Sequence, residues 1–170
     1  MKTLLMMDEH NYDPSLPEIR RTAVRGIIFR DGKLLMVRSD FGEVKFPGGG
    51  QEGDENDLDT LLREVLEETG CRVIPESVRP FGQVVEKRLS VHEPMIWHQI
   101  NRYYFCQIGD SREACQYSDN EKKHGFVPVW LPLSEAVEVN RQMLEREGCK
   151  PWNQREYRLL KLLAEQQTEA

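Results

Sequence analysis

The sequence predicts an α/β protein built around a mixed β-sheet, and three observations predict it. Residues 57–69 read as a capped amphipathic helix, residues 22–38 read as two strands around the turn dipeptide Asp31-Gly32, and a strand-rich middle gives way to helical stretches at the C-terminal end. A chain of 170 residues with 39% hydrophobic content can bury one sizeable core, so a single domain is expected. The order of strands and helices does not by itself set the sheet topology.

Taken in order, residues 1–20 form a polar lead-in containing Pro14 and Pro17, and residues 21–170 form the domain. Thr22 to Arg30 alternates as a strand, Asp31-Gly32 suits a tight hairpin turn, and Lys33 to Arg38 is the partner strand. Val44 to Phe46 leads into Pro47-Gly48-Gly49-Gly50, expected as a loop that lets the backbone approach another group closely. The helix follows, with Asn56 as N-cap, Asp57 and Asp59 in its first turn, and Gly70 placed to take the left-handed conformation past its end. Strand candidates then fall at Val73-Ile74, Phe81 to Lys87, Gln99 to Ile108 and Phe126 to Leu131. Leu133 to Ala136 opens a helix, and Trp152 to Gln166 forms another with Tyr157, Leu160 and Leu163 on one stripe.

The most informative stretch is Arg63-Glu64-Val65-Leu66-Glu67-Glu68. Glu64, Glu67 and Glu68 stand at i, i+3 and i+4, which puts three carboxylates on one helical face, while Leu58, Leu61, Leu62, Val65 and Leu66 fall on another. Like charges at this spacing repel by about 0.2–0.5 kcal/mol per pair when solvated, and a cation relieves them. Hard oxygen ligands point to magnesium, manganese or calcium. Beside a glycine-rich segment, such an ion can bridge two phosphates, which is the chemistry of pyrophosphate-bond hydrolysis. A solvated acidic face is the bland alternative. A Walker loop is excluded because no Gly-Lys-Ser/Thr follows the glycines, and Asp54 to Val65 lacks the glycine and final glutamate of an EF-hand.

Gly49, Glu55, Arg63, Glu64, Val65, Glu67, Glu68 and Gly70, with Cys71 as a soft match to an apolar position, occupy every fixed position of the Nudix box, and on them the chain resembles the Nudix (MutT-like) hydrolase superfamily. The resemblance implies an α/β/α sandwich and metal-dependent hydrolysis of a nucleoside diphosphate linked to another moiety, with Mg2+ or Mn2+ as cofactor. It further implies Glu64, Glu67 and Glu68 as ligands, foremost Glu68 and Glu64, with the backbone carbonyl at Gly48 completing one coordination shell. Arg63 is expected to point off the carboxylate face and pair with Glu55 or another loop acid. The general base is either Glu64 or a loop acid before a late strand, for which Glu121 matches best and Asp119 and Glu113 less well. A non-catalytic Nudix-fold module that senses a nucleotide is the second reading, which the intact box disfavours. Isoprenyl diphosphate isomerisation has no distinct support.

The partner expected is a small nucleotide. The net charge of −6 is concentrated between Glu52 and Glu68, where eight acids face Arg63 alone, and the rest of the chain carries 22 bases against 21 acids. No basic tract of the kind that follows a nucleic-acid backbone is present, so a long nucleic acid is not expected. Neither is a membrane, since no apolar stretch is long enough to span one. The four cysteines form no CxxC pair, which speaks against zinc, and with the short, quickly acidic N-terminus they make a reducing cytoplasm the expected setting. A homodimer is left open. Trp97-His98 and Tyr103-Tyr104 could stack on a base, but aromatic residues in strands more often belong to a core, and core is the favoured reading. His92, His98 and His124 carry no assignment. Val84 to Ser90 shows none of the subfamily markers of Nudix substrate choice, so the nucleotide is left unassigned.

Overall fold

The computed structural model describes residues 1–168; residues 169–170 of the expected domain lie outside the described residues. The strands and helices before the midpoint are β1 (Thr3–Asp8), β2 (Glu18–Ile27), β3 (Phe29–Arg30), β4 (Lys33–Arg38), β5 (Val44–Lys45), β6 (Gly48–Gly50) and α1 (Asp57–Thr69). After it come β7 (Cys71–Val73), β8 (Arg79–Leu89), β9 (Ile96–Phe105), β10 (Ile108–Arg112), α2 (Asp119–Lys123), β11 (Val127–Pro132), α3 (Leu133–Leu144) and α4 (Pro151–Thr168).

The main sheet is mixed, in the order β1-β8-β9-β2-β6, with β2 parallel to β9 and β1 parallel to β8. A smaller sheet orders β11-β4-β3 with β5 added to β4, and β7 pairs with β10. Two apolar cores lie on opposite faces. Val24, Ile28 and Leu35 pack with Leu61 and Val65 of α1 on one face, and Ile27, Phe46 and Tyr103 pack with Leu159, Leu160 and Leu163 of α4 on the other. The layers are therefore helix, sheet, helix. Each fully buried leucine or valine in them contributes about 1.5–3 kcal/mol through apolar area removed from water.

The local signals hold in detail. Arg30 pairs with Lys33 across a two-residue turn in which Asp31 and Gly32 have φ of 50° and 73°, the mirror-image turn geometry that matches strand twist. Asn56 accepts from the backbone N–H of Leu58 and Asp59, and Asp59 returns a bond to the Asn56 N–H, closing a capping box. Gly70 ends α1 at φ 70°, and a Cβ there would collide with the Glu113 carbonyl.

Four expectations change. The lead-in contributes β1, an edge strand whose Thr3 to Asp8 pair with Gln83 to Lys87, because β8 offers an unpaired flank. The expected strand at Thr22 to Arg30 starts earlier and breaks at Ile28, since β2 belongs to the main sheet and β3 to the smaller one. The glycine loop is strand β6, paired with Ala23 to Arg25 of β2. Leu58 does not share the buried stripe but is 37% exposed, whereas Leu61 and Val65 are fully covered. Its neighbour Asp57 instead pins this end of α1 to β9, accepting from Arg102 Nη1 at 2.7 Å and from the Tyr104 hydroxyl.

The α4 face also contains a buried ionic network. Arg155 donates to Glu86 at 2.6 Å and to Glu156 at 2.8 Å, Glu156 accepts from the Phe46 N–H at 3.0 Å, and Arg25 lies 4.0 Å from Glu156. Two cations against two carboxylates leave no net charge, as burial demands. At the outer end of the sheet Glu18 ties three strands, meeting Arg20 at 2.6 Å, His98 at 2.8 Å and Lys87 at 3.2 Å.

These partners, the His98 hydrogen bond first, hold the Glu18 carboxyl at about 2, below its ordinary 4.5. A depressed carboxyl pKa stabilises the fold above the unfolded value, and that contribution fades as pH falls from about 4.5 toward 2. Glu18→Gln is expected to lower the thermal midpoint between pH 6 and 8 and to converge on wild type as pH falls toward 2, so that its acid limb is flatter. Scanning calorimetry of both proteins from pH 2 to 8 checks this, and parallel acid limbs would count against it.

Candidate active site

The site forms where α1 closes on β6. At Gly48, with φ 139°, a Cβ would strike the Val24 carbonyl and the Arg25 Cα, and at Gly49 it would run into the Glu64 carboxylate. Glycine is thus required here by close approach, not merely by a turn. The Gly48 N–H donates to Glu68 Oε2 at 2.8 Å, and the Gly48 carbonyl accepts from Arg25 Nη1 at 3.0 Å. Glu68 is 1% exposed, and its other oxygen receives Lys45 Nζ at 2.6 Å.

Arg63 meets Glu55 through both carboxylate oxygens, at 2.6 and 2.8 Å, and donates to the Gly50 carbonyl at 3.0 Å. The pairing with Glu55 agrees with the sequence reading. The orientation differs, because Arg63 Nη1 turns onto the carboxylate face and reaches Glu64 at 2.8 Å and Glu67 at 3.3 Å. Arg63 lies one helical turn before Glu67, so its long side chain can serve loop and helix together.

Glu121 is delivered by tertiary structure. Past β10, Glu113 donates its N–H to the Gly70 carbonyl at 2.7 Å, Gln116 to the Glu67 carbonyl at 2.8 Å, and the Tyr117 hydroxyl to the Glu68 carbonyl at 3.2 Å. The segment thereby satisfies the open carbonyls at the end of α1 and lays α2 beside the box glutamates. Ser118 and Glu121 cap each other, with the Ser118 N–H and hydroxyl donating to Glu121 Oε2 at 2.8 and 2.9 Å. One oxygen from each of Glu64, Glu68 and Glu121 lies within 4.8 Å of the others.

Of the residues singled out from the sequence, Glu64, Glu68, Glu121 and Gly48 come together, with Arg63 bound to Glu64. Glu67 is set apart, its side chain 36% exposed and paired to Arg63. Asp119 points outward, 103% exposed beside Lys122, and Glu113 pairs with Arg72 at 2.5 Å. Lys45 and α2 were not foreseen. No pattern marks Lys45, but Ser118-Asp119-Asn120-Glu121 is a capping-box signature that could have located α2.

Burial is the largest influence on Glu68 and raises its carboxyl to about 7 despite Lys45 and the Gly48 N–H. Burial likewise raises Glu64 above the usual range, against the pull of Arg63. At Glu121 burial pushes upward too, but the Ser118 N–H and hydroxyl and the Glu68 carboxyl outweigh it and the net shift is downward. Three clustered carboxylates short of compensating charge, all with hard oxygen donors, fit a divalent ion such as magnesium or manganese and disfavour soft metals. No helix among the described residues is long and apolar enough to cross a membrane.

The NUDIX domain family matches residues 19–152. The chain is 38% identical over 72 residues to a MutT-like protein of Streptomyces ambofaciens, covering 41% of this chain and 47% of that protein, so it spans about half the length of that relative. It is 27% identical over 166 residues to an RNA pyrophosphohydrolase of Xylella fastidiosa, covering 85% of this chain and 79% of the relative. Among solved structures, a NUDIX hydrolase from Nitrosomonas europaea superposes with a TM-score of 0.55 at 20% identity, over 83% of this chain and 90% of that one. That likeness establishes the fold.

Arg63 orients Glu64 and ties the loop to α1, and loss of a group that orients a ligand typically weakens metal affinity or activity by about 10–100-fold. Arg63→Gln is expected to weaken Mn2+ binding within that range, measured by isothermal titration calorimetry. Wild-type affinity would show that Glu64 is positioned by the helix alone.

Proposed function

Because the chain belongs to the NUDIX domain family, we propose that it is a divalent-metal-dependent pyrophosphohydrolase acting on a nucleotide or nucleotide derivative. The observation that carries this reading is the convergence of Glu64, Glu68 and Glu121 beside the glycine strand β6. The names of its relatives, a MutT-like protein and an RNA pyrophosphohydrolase, support the same reaction class.

Magnesium or manganese, when bound, would neutralise charge on a diphosphate and lower the pKa of an attacking water. Glu68 and Glu64 are the principal ligands, Glu121 supplies a third carboxylate, and the Gly48 carbonyl is the backbone donor. Glu67 stands at the rim, one turn from Arg63. Lys45 offers an ammonium to phosphate oxygens facing Glu68. Glu64 is the general base: it sits on a rigid helix, is held by Arg63, and fills the space that Gly49 leaves open. Arg63 is a positioning residue that keeps Glu64 aimed at this space.

Glu68→Gln is expected to lower kcat by more than about 100-fold, beyond the range typical of losing an orienting group alone. The fold should persist, because glutamine still accepts the Gly48 N–H, and circular dichroism checks this. Full activity in this variant or in excess chelator would overturn the mechanism. Binding only to the folded protein, metal at 100 times its Kd stabilises by about 2.7 kcal/mol, so millimolar magnesium is expected to raise the wild-type thermal midpoint more than that of the variant.

The base and the third ligand are separable. Glu64→Gln should cut kcat by about 10²–10⁴-fold at any metal concentration with little change in KM, whereas Glu121→Gln should recover substantially as metal is raised. Steady-state kinetics across a Mn2+ titration distinguishes the two. An unrecoverable loss at Glu121, equal to or larger than that at Glu64, would reassign the base to Glu121.

A further inference from the structure

The outer part of the main sheet carries side chains that the hydrolytic site does not use. On the face covered by α4, register aligns Arg21 of β2 with Gln99 of β9 and Glu86 of β8, and one step outward aligns Ile19 with Trp97 and Arg88. The buried network reaches this face as far as Arg155, which holds Glu86. Beyond it, Trp97 is half-buried and is not a core residue, contrary to the favoured reading of the sequence. The Arg21 guanidinium lies 5.9 Å and the Arg88 guanidinium 5.7 Å from the indole centre, near the outer limit for attraction to a ring face. The Arg88 Nε is buried with no hydrogen-bond partner among the described residues. The Gln99 amide donates to Asn101 Oδ1 at 2.7 Å and retains its acceptor oxygen.

This row runs to the hydrolytic edge. β6 is the edge strand opposite β1, and consecutive residues in it face opposite sides. A Cβ at Gly49 would meet Glu64, and a Cβ at Gly50 would meet the Arg21 guanidinium. The carboxylate cluster and Arg21 therefore lie on opposite sides of an edge stripped of side chains. A diphosphate held at the carboxylates and passing over that edge arrives at Arg21, and the group it carries then lies over Gln99 and Trp97.

We propose that Arg21, Gln99, Trp97 and Arg88 form the nucleoside subsite, with Trp97 stacking on the base, Gln99 offering an amide to its edge, and the arginines pairing with phosphate and sugar oxygens. The inference rests on the carboxylate cluster being the hydrolytic centre. A flat aromatic surface, an amide and two guanidiniums in one row are the groups that recognise a nucleotide. Exposed Arg21 can leave the indole face for a phosphate.

The test is binding of ADP, GDP, CDP and UDP by isothermal titration calorimetry in chelator, with inorganic pyrophosphate as a probe that lacks a base. Trp97→Ala is expected to weaken the best-bound nucleotide by about tenfold or more, as loss of one stacked base does, and to leave pyrophosphate binding to Mn2+-loaded protein unchanged. Trp97→Phe should stay within a few-fold of wild type, which separates stacking from a packing role. No nucleotide binding by the wild-type protein, wild-type affinity in Trp97→Ala, or equal loss in the alanine and phenylalanine variants overturns the subsite. Nucleotide binding that depends on Trp97 in a protein without hydrolytic activity would sink the proposed reaction and leave the subsite standing.

Discussion

The close approach of α1 to β6 is the constraint on which the rest of the structure depends. Glu64 and Glu68 can be buried only because Gly48 and Gly49 present backbone where any other residue would present a side chain. The Gly48 N–H then becomes a ligand for Glu68, so the same contact that packs the helix also aims a carboxylate. Burial in turn makes the site reactive toward cations, since a carboxylate removed from water binds positive charge more strongly than an exposed one. Packing and chemistry here are one interaction.

Buried charge requires compensation, and two cations from different elements supply it. Lys45 comes from β5, and Arg63 is shared among Glu55, Glu64 and Glu67. Behind β6 a second set of charges, Arg25, Glu86, Arg155 and Glu156, joins α4 to the sheet and ends at the Gly48 carbonyl. Breaking one partner of such a buried pair typically costs about 3–5 kcal/mol, because the other charge is left unpaired. The C-terminal helix is therefore coupled to the glycine strand through polar contacts as well as through Leu159, Leu160 and Leu163.

Strand β9 shows how one element serves two purposes by alternation. Arg102 and Tyr104 turn to the α1 face and hold Asp57, while Tyr103 enters the core beside Phe46 and Trp97 lies outward on the same side. The aromatic content of this strand read as core, and that was correct for Tyr103. It failed for Trp97 because strand periodicity reports which face a residue is on, not how far along that face the covering helix extends.

The sequence by itself determined the elements whose causes are local: the Asp31-Gly32 turn, the Asn56 capping box, the Gly70 terminus, and the placement of Glu64, Glu67 and Glu68 on one helix. Box spacing also determined the family and narrowed the partner of Arg63 to Glu55 or another loop acid, of which the fold selects Glu55. Tertiary structure decided the remainder. It separated Glu67 from Glu64 and Glu68, since only part of a helix face can point into a cleft. It brought Glu121 and Lys45, distant along the chain, to Glu68, Lys45 from β5 and Glu121 from the α2 segment that follows the residues capping α1's last carbonyls. It turned the lead-in into β1 and the glycine loop into β6, because an edge strand exists only where a neighbouring strand offers unpaired backbone groups. Hydrogen-bond partners contributed by remote segments leave no periodic trace in the segment that receives them, so those features had to be read from the folded chain.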